Sequence, residues 1–295
     1  MDPASPLSQD DPTLKRPDMK KLFFTGLLVL FFQVAGFSQR FYVRASGGYG
    51  WPGSVRHLAA NYQAHYVAAT NTFTETYAFK RGSYGAGLTG SLAFGYRFTD
   101  QIWVEGGPSY LAGKSYHGQE HYSGSLAGDV ATETYARMPA FTAAMIISPS
   151  GRHWRPYAKA GIIAGSPRIY NQERDAFNNN IITREWEIKG KTAWGFQGGL
   201  GLHYALNARF GLFAEGIFRS LSFTPKTGKV TSYEKNGENQ YNNLSVRQRK
   251  LEYKASYTLN SGNGQDPDDQ PAQTSNDPLP FGAVGLQLGV QLHLR

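Results

Sequence analysis

Phe281-Gly282-Ala283-Val284-Gly285-Leu286-Gln287-Leu288-Gly289-Val290-Gln291-Leu292-His293-Leu294 decides the fold. From Val284 onward every second residue is apolar, and the residues between are Gly285, Gln287, Gly289, Gln291 and His293. Period-two alternation places these two sets on opposite faces of a β-strand. The pattern recurs upstream. Tyr84, Ala86, Leu88, Gly90, Leu92, Phe94, Tyr96 and Phe98 form one apolar face, and Trp194, Phe196, Gly198, Leu200, Leu202 and Tyr204 another. Shorter versions lie near 41–51, 102–112, 154–164 and 210–220. An eighth segment, 135–147, is ambiguous, because Phe141, Met145 and Ile147 compete with Ala140, Ala144 and Ile146 for the apolar face.

The connections alternate in length. Short turns fall at Thr99-Asp100, 149–152 and 205–208, and long polar loops at 52–81, 114–133, 167–187 and 223–280. Short turns on one side and long loops on the other are the layout of an outer-membrane barrel. The apolar face carries aromatics at both ends (Tyr49, Trp51, Tyr84, Tyr110, Trp194, Phe218 and Phe281 by the loops; Tyr96, Phe98, Tyr204 and Phe210 by the turns) around an aliphatic middle. Two aromatic girdles flanking an aliphatic band suit strands that face lipid. A soluble sandwich also alternates, but its strands are usually shorter than these. The expected fold is all-β, an antiparallel up-and-down transmembrane β-barrel of eight strands with long extracellular loops. Ten strands is the alternative, because Leu251, Tyr253, Ala255, Tyr257 and Leu259 alternate inside the fourth loop. The stretch 260–277, rich in Asp, Pro, Gln and Asn, reads as a mobile tip.

Composition agrees with export. The chain has 295 residues, no cysteine and a net charge of +8 dispersed along its length. No cysteine means no disulfide and no thiolate metal site. Dispersed charge gives no basic stripe for nucleic acid. Lys20-Lys21 precedes the uncharged run 22–32, and Gly36 and Ser38 stand at −3 and −1 of a cleavage point before Gln39. This is the pattern of a secretory signal peptide. The expected organisation is a leader or mis-called start at 1–18, a signal peptide at 19–38, and the barrel at 39–295.

The chain resembles a known family. The signal ending in Phe37-Ser38-Gln39, Trp103-Val104-Glu105-Gly106-Gly107-Pro108-Ser109-Tyr110, Pro156-Tyr157-Ala158-Lys159-Ala160-Gly161 and the closing strand from Val284 carry the likeness. It is similar to the eight-stranded outer-membrane barrels, meaning the OmpA transmembrane domain and OmpX-type proteins, and above all to the uncharacterised barrel proteins of Bacteroidetes. The resemblance implies architecture and an outer-membrane location, and offers no catalytic residues. Proteobacterial members usually end in an aromatic residue, whereas this chain ends Leu294-Arg295.

An eight-stranded barrel is filled by its own side chains. Arg44, Arg97, Glu105, Lys159, Glu215 and Arg219 fall on the expected inward face. Buried charges must pair, so these residues are expected to form an internal network that seals the lumen. A narrow gated pore, as proposed for OmpA-type barrels, is the sharper alternative. In the first loop Tyr62, Tyr66, Phe73 and Tyr77 are candidates for recognising a glycan, a lipid or a protein. His117-Gly118-Gln119-Glu120-His121 matches a metalloprotease string, but that chemistry needs a helix and this copy lies in a loop. Neither a metal nor a cofactor is expected. The expected role is structural or surface-interacting rather than enzymatic. Its partners are outer-membrane lipid and lipopolysaccharide, with another envelope protein or an extracellular ligand as alternatives, and a monomer is favoured. The enzymatic alternative is a barrel hydrolase, a lipid A deacylase or an omptin-like protease, using rim residues among His57, His65, Glu75, Asp129 and Glu133.

Overall fold

A computed structural model describes residues 40–124, 127–149, 151, 153–257 and 267–294. The leader, the signal peptide and the cleavage point before Gln39 lie outside these residues, as does the first part of the 260–277 tip. Eight strands form a closed ring: β1 (Phe41–Pro52), β4 (Gly87–Arg97), β5 (Ile102–Gly113), β7 (Gly128–Ile147), β8 (Trp154–Gly165), β11 (Ala193–Ala205), β12 (Phe210–Phe223) and β18 (Ala283–His293). Each pairs antiparallel with the next, and β18 returns to β1 over Tyr42↔His293 to Pro52↔Ala283. Closure satisfies every ladder and leaves no sheet edge in the wall. The ring has eight members, and the further strands stand above it.

The outer face is apolar around the whole circumference. Leu88, Phe196, Leu200 and Leu288 are 64%, 70%, 73% and 67% exposed. The ambiguous segment resolves the same way: Phe141, Met145 and Ile147 point outward, whereas Ala144 and Ile146 are buried. Trp51, Tyr110, Trp194 and Phe218 are exposed at the long-loop end, and Phe98, Trp154 and Phe210 at the turn end. Tyr84 and Phe281 depart from the expected girdle, for both are buried inside the ring. The reason is local. β4 begins only at Gly87, whose φ of +141° breaks the alternation counted through Tyr84 and Ala86. Phe281 likewise precedes β18, where Ser83 Oγ donates to the Gly282 carbonyl at 2.7 Å and folds the two segments over the mouth.

Most of the expected long loops are strands. The first is the hairpin of β2 (Arg56–Val67) and β3 (Thr72–Gly82); the second holds β6 (Tyr116–Gly124) and the first half of β7; the third is β9 (Arg168–Phe177) with β10 (Asn180–Gly190). The fourth contains β13 (Pro225–Lys235), β14 (Glu238–Asn239), β15 (Lys250–Lys254), β16 (Ala272–Ser275) and β17 (Leu279–Pro280). Together they continue the wall upward in the order β3-β2-β6-β7-β9-β10-β13-β15-β16. Only β2–β6 and β15–β16 run parallel in this extension. Its hairpins turn on residues that tolerate positive φ: Asn178 and Asn179 between β9 and β10, and Asn236 and Gly237 between β13 and β14. Of the alternation expected over 251–259, 251–254 is strand in β15, 255–257 is not, and 258–259 lie outside the described residues; part of the expected mobile tip is strand β16.

Candidate functional site

The lumen is built from four strands that all leave the turn end: β1, β5, β8 and β12, every second member of the ring. Each opens with an aromatic residue followed two positions later by a charge: Tyr42 and Arg44, Trp103 and Glu105, Tyr157 and Lys159, Phe213 and Glu215. Period two sends both members of each pair inward. The four charges make a square in which each side joins opposite signs. Arg44 Nη1 lies 3.1 Å from Glu105 Oε2, and Lys159 Nζ lies 3.4 Å from Glu105 Oε1 and 2.7 Å from Glu215 Oε1. On the fourth side Arg44 Nη2 is 3.9 Å from Glu215 Oε2. There the Tyr157 hydroxyl fills the gap, accepting from Arg44 Nη2 at 2.7 Å and donating to Glu215 Oε2 at 2.8 Å. Tyr42 also donates to Glu105, at 3.4 Å. Two cations and two carboxylates sum to zero, with like charges diagonal and opposite charges adjacent. This pairing offsets the cost of taking each charge out of water.

The aromatic layer lies on the turn side of this square. Tyr42, Trp103, Tyr157, Phe213 and Ile146 form one buried cluster, with the Arg44 guanidinium 3.7 Å from the Phe213 ring centre. Glycines on the intervening strands make room for these rings. A Cβ on Gly95, Gly201 or Gly289 would overlap the ring of Tyr42, Tyr157 or Phe213, its direct register partner. Trp103 is paired instead with Arg97, whose guanidinium stands 4.7 Å from its ring centre. Toward the long-loop end, Tyr84, Leu111, Met138, Ile163, Leu221, Phe223 and Phe281 pack as an apolar plug.

Of the six charges expected inside, Arg44, Glu105, Lys159 and Glu215 are brought together, while Arg97 stacks on Trp103 and stays out of the square. Arg219 is buried two positions above Ile217 and makes no ion pair within 4.0 Å among the described residues. Sequence reasoning missed Tyr42, Tyr157, Phe213 and the glycines facing them. The fourfold recurrence of aromatic, small residue, charge (Tyr-Val-Arg, Trp-Val-Glu, Tyr-Ala-Lys, Phe-Ala-Glu) was the signal that could have found them.

The loop candidates also meet, on the inner face of the extension. The rings of Tyr62 and Tyr77 are 4.7 Å apart, and those of Tyr66 and Phe73 6.2 Å. Tyr62 and Tyr77 both donate to Glu75, at 2.9 and 3.1 Å. Burial, followed by the hydrogen bond to Glu75, raises the pKa of the Tyr62 hydroxyl. The ring of Tyr122 adds to the row, 5.5 Å from Tyr62, and its hydrogen bond to Glu120 pushes its hydroxyl up to about 12. Farther round the same face Glu173 and Asp175 are raised above ordinary carboxylates, chiefly by burial. This face is aromatic and acidic.

The hydrolase candidates are dispersed. His57 packs at a tilt against Phe79, His65 Nδ1 is 2.8 Å from Ser123 Oγ, and His121 Nδ1 is 2.7 Å from Asp129 Oδ1. Glu75 is engaged by the two tyrosines, and Glu133 lies on the outer side of β7. The hydroxyl and the carboxylate thus belong to two different histidines, so no nucleophile–base–acid relay forms among the described residues. His117 and His121 lie on strand β6 with Glu120 turned to the opposite face, and a four-residue step on a strand spans ~13 Å.

The ring, its register and its two faces define a closed eight-stranded antiparallel barrel with an apolar outer wall and a charge-paired interior. Among solved structures, Neisserial surface protein A (NspA) is similar at 10% identity and a TM-score of 0.36, over 86% of this chain and 97% of that one. Acinetobacter baumannii CarO2 is similar at 11% identity and a TM-score of 0.29, over 85% and 99%. No protein-family model and no curated protein matches the chain.

Proposed function

We propose that the chain is an integral outer-membrane protein in which the barrel is a sealed, rigid anchor and the extracellular extension is the interacting part. The observation that carries this reading is the outer wall. Large apolar side chains stand exposed on every strand of the ring, among them Trp51, Leu88, Tyr110, Phe141, Trp154, Trp194, Phe218 and Leu288. A continuous apolar belt of this kind is stable in hydrocarbon and is an aggregation surface in water. The filled lumen, with its charge square below and apolar plug above, supports anchoring over transport. The inner face of the extension, with Tyr62, Tyr66, Phe73, Tyr77 and Glu75, supports recognition of an extracellular ligand by ring stacking and carboxylate hydrogen bonds. The divided histidine pairs support a non-enzymatic role.

The test is electrophoretic migration of outer-membrane fractions before and after boiling, combined with protease treatment of intact cells. A folded barrel resists SDS, so the unboiled band shifts, and cleavage is confined to the extension. Release with the periplasm and no shift would refute the membrane reading.

A further inference from the structure

The outer face of the extension carries a different chemistry from its inner face. Directly above the apolar wall, Arg137 on β7, Arg168 on β9 and Lys189 on β10 are register partners in one row across three adjacent strands. In the next row up, Tyr135, Tyr170, Glu187 and Lys229 are partners across four strands. Three of these four cations share one carboxylate. Glu187 lies 2.9 Å from Lys189, 3.4 Å from Arg168 and 3.8 Å from Lys229. The cationic side chains remain open, with Arg168 50%, Lys189 44% and Lys229 58% exposed. Beside them the Tyr135 and Tyr170 rings stack at 5.2 Å, and the Arg137 guanidinium lies 5.6 Å from each ring centre. Like charges placed directly opposite one another on a sheet are destabilising. Three cations stand in this row with one carboxylate, Glu187, in the row above and Glu133 and Glu185 one row higher still, so the row itself holds no anion and an external one would complete it.

Position identifies the anion. Four residues below Arg137 on the same strand face is Phe141, a separation of ~13 Å on a strand. Phe141 is 58% exposed, and Trp194, near it on the same wall, 67%. The row thus stands at headgroup height above the hydrocarbon-facing surface. We infer that Arg137, Arg168, Lys189 and Lys229 form a binding site for the phosphates of an outer-leaflet glycolipid. Its sugars lie against Tyr135 and Tyr170, and its acyl chains run down the wall past Phe141 and Trp194. This inference rests on the membrane reading proposed above.

The test uses the full-length protein in a neutral detergent, its folded state checked by the boiling shift. Tryptophan fluorescence is titrated with bis-phosphorylated lipid A, with its dephosphorylated form and with inorganic phosphate. Each cation near an anionic headgroup contributes about fivefold. The triple variant Arg137→Gln/Arg168→Gln/Lys189→Gln should therefore bind the phosphorylated lipid about a hundredfold more weakly. Arg209→Gln, at a short turn on the opposite end, should bind as the parent does. The dephosphorylated lipid should bind the parent weakly, and inorganic phosphate should compete only in large excess. A second readout separates binding from structure: Arg137→Gln alone, which breaks no ion pair among the described residues and relieves the repulsion from Arg168, should not lower the unfolding temperature in neutral detergent yet should reduce the protection given by lipid A. Equal binding by the triple variant, or equal binding of the dephosphorylated lipid, overturns the inference. Displacement by equimolar inorganic phosphate overturns it in favour of a free-anion site. A folded, heat-shifting protein indifferent to lipid A sinks the inference alone; the absence of any shift removes the membrane reading as well.

Discussion

The Tyr157 hydroxyl bridges Arg44 and Glu215, accepting from one at 2.7 Å and donating to the other at 2.8 Å. It closes the one side of the charge square that direct contact leaves open at 3.9 Å. Tyr157→Phe should lower barrel stability by about 1–3 kcal/mol, the cost of leaving buried hydrogen-bonding groups unmet. Glu215→Gln removes a charge from Lys159 as well as from this bridge and should cost more, about 3–5 kcal/mol. Urea unfolding of the protein in lipid vesicles measures both, and an order opposite to this would show that the bridge, not the ion pair, dominates.

The glycines beneath the lumen rings act by size. Gly201→Ala should destabilise the barrel by about 1–3 kcal/mol, because its Cβ would overlap the Tyr157 ring. Gly198→Ala, whose nearest contact is a backbone oxygen at 3.4 Å, should be close to neutral. For Gly95, whose close contacts all belong to the Tyr42 side chain, the combination Gly95→Ala with Tyr42→Leu should recover part of the loss, since trimming the ring reopens the space. Unfolding midpoints of the singles and the pair decide it through their non-additivity.

Conduction should be limited by the upper plug. Single-channel recordings of the parent in planar bilayers are expected to show no defined open level. Phe223→Ala with Phe281→Ala removes two rings 5.7 Å apart and should create openings. Glu105→Ala in that background should then change the cation preference, because Glu105 belongs to the square beneath the plug. A well-defined conductance in the parent would instead support the pore alternative.

Glu187 gives the outer face a pH dependence. Burial acts to raise its pKa, and the hydrogen bond from Lys189 with the charges of Lys189, Lys229 and Arg168 outweighs it, so the carboxyl titrates below its ordinary 4.5. A depressed folded-state pKa contributes stability that is present above about pH 4.5 and is lost as the pH falls through the lower folded value. Glu187→Gln should thus cost about 1 kcal/mol at neutral pH, the scale of a partly exposed ion pair. The difference from the parent should shrink as the pH falls below 4.5, as read by thermal unfolding across the acid range.

The wall was legible in the sequence because its outward face is an unbroken apolar run, and Val284 to Leu294 or Leu88 to Phe98 show it without tertiary context. The charges inside were legible by parity alone. Their pairing was not, since Arg44 meets residues 61 and 113 positions away and the register that brings them together is set by the whole ring. Tyr84 lies inside because the chain leaves the strand at Gly87 and the alternation does not carry through it, whereas Phe281 shares the parity of the inward Ala283 and belongs inside by period two itself. The strands of the extension escape a search for apolar alternation because their outer faces carry Arg168, Lys189 and Glu187 rather than Leu or Val. The Asn178-Asn179 and Asn236-Gly237 turns were local evidence for hairpins that the absence of apolar alternation concealed.

The alternating order of the lumen charges along the chain, positive on β1, negative on β5, positive on β8 and negative on β12, makes the square a parity device for assembly. Each corner arrives on its own hairpin. A ring closed with any one hairpin missing would seat two like charges as neighbours in a space that water does not reach, and one carrying a fifth hairpin of either sign would do the same. Neutral, alternating closure requires an even number of hairpins, so the interior itself counts the strands of the wall.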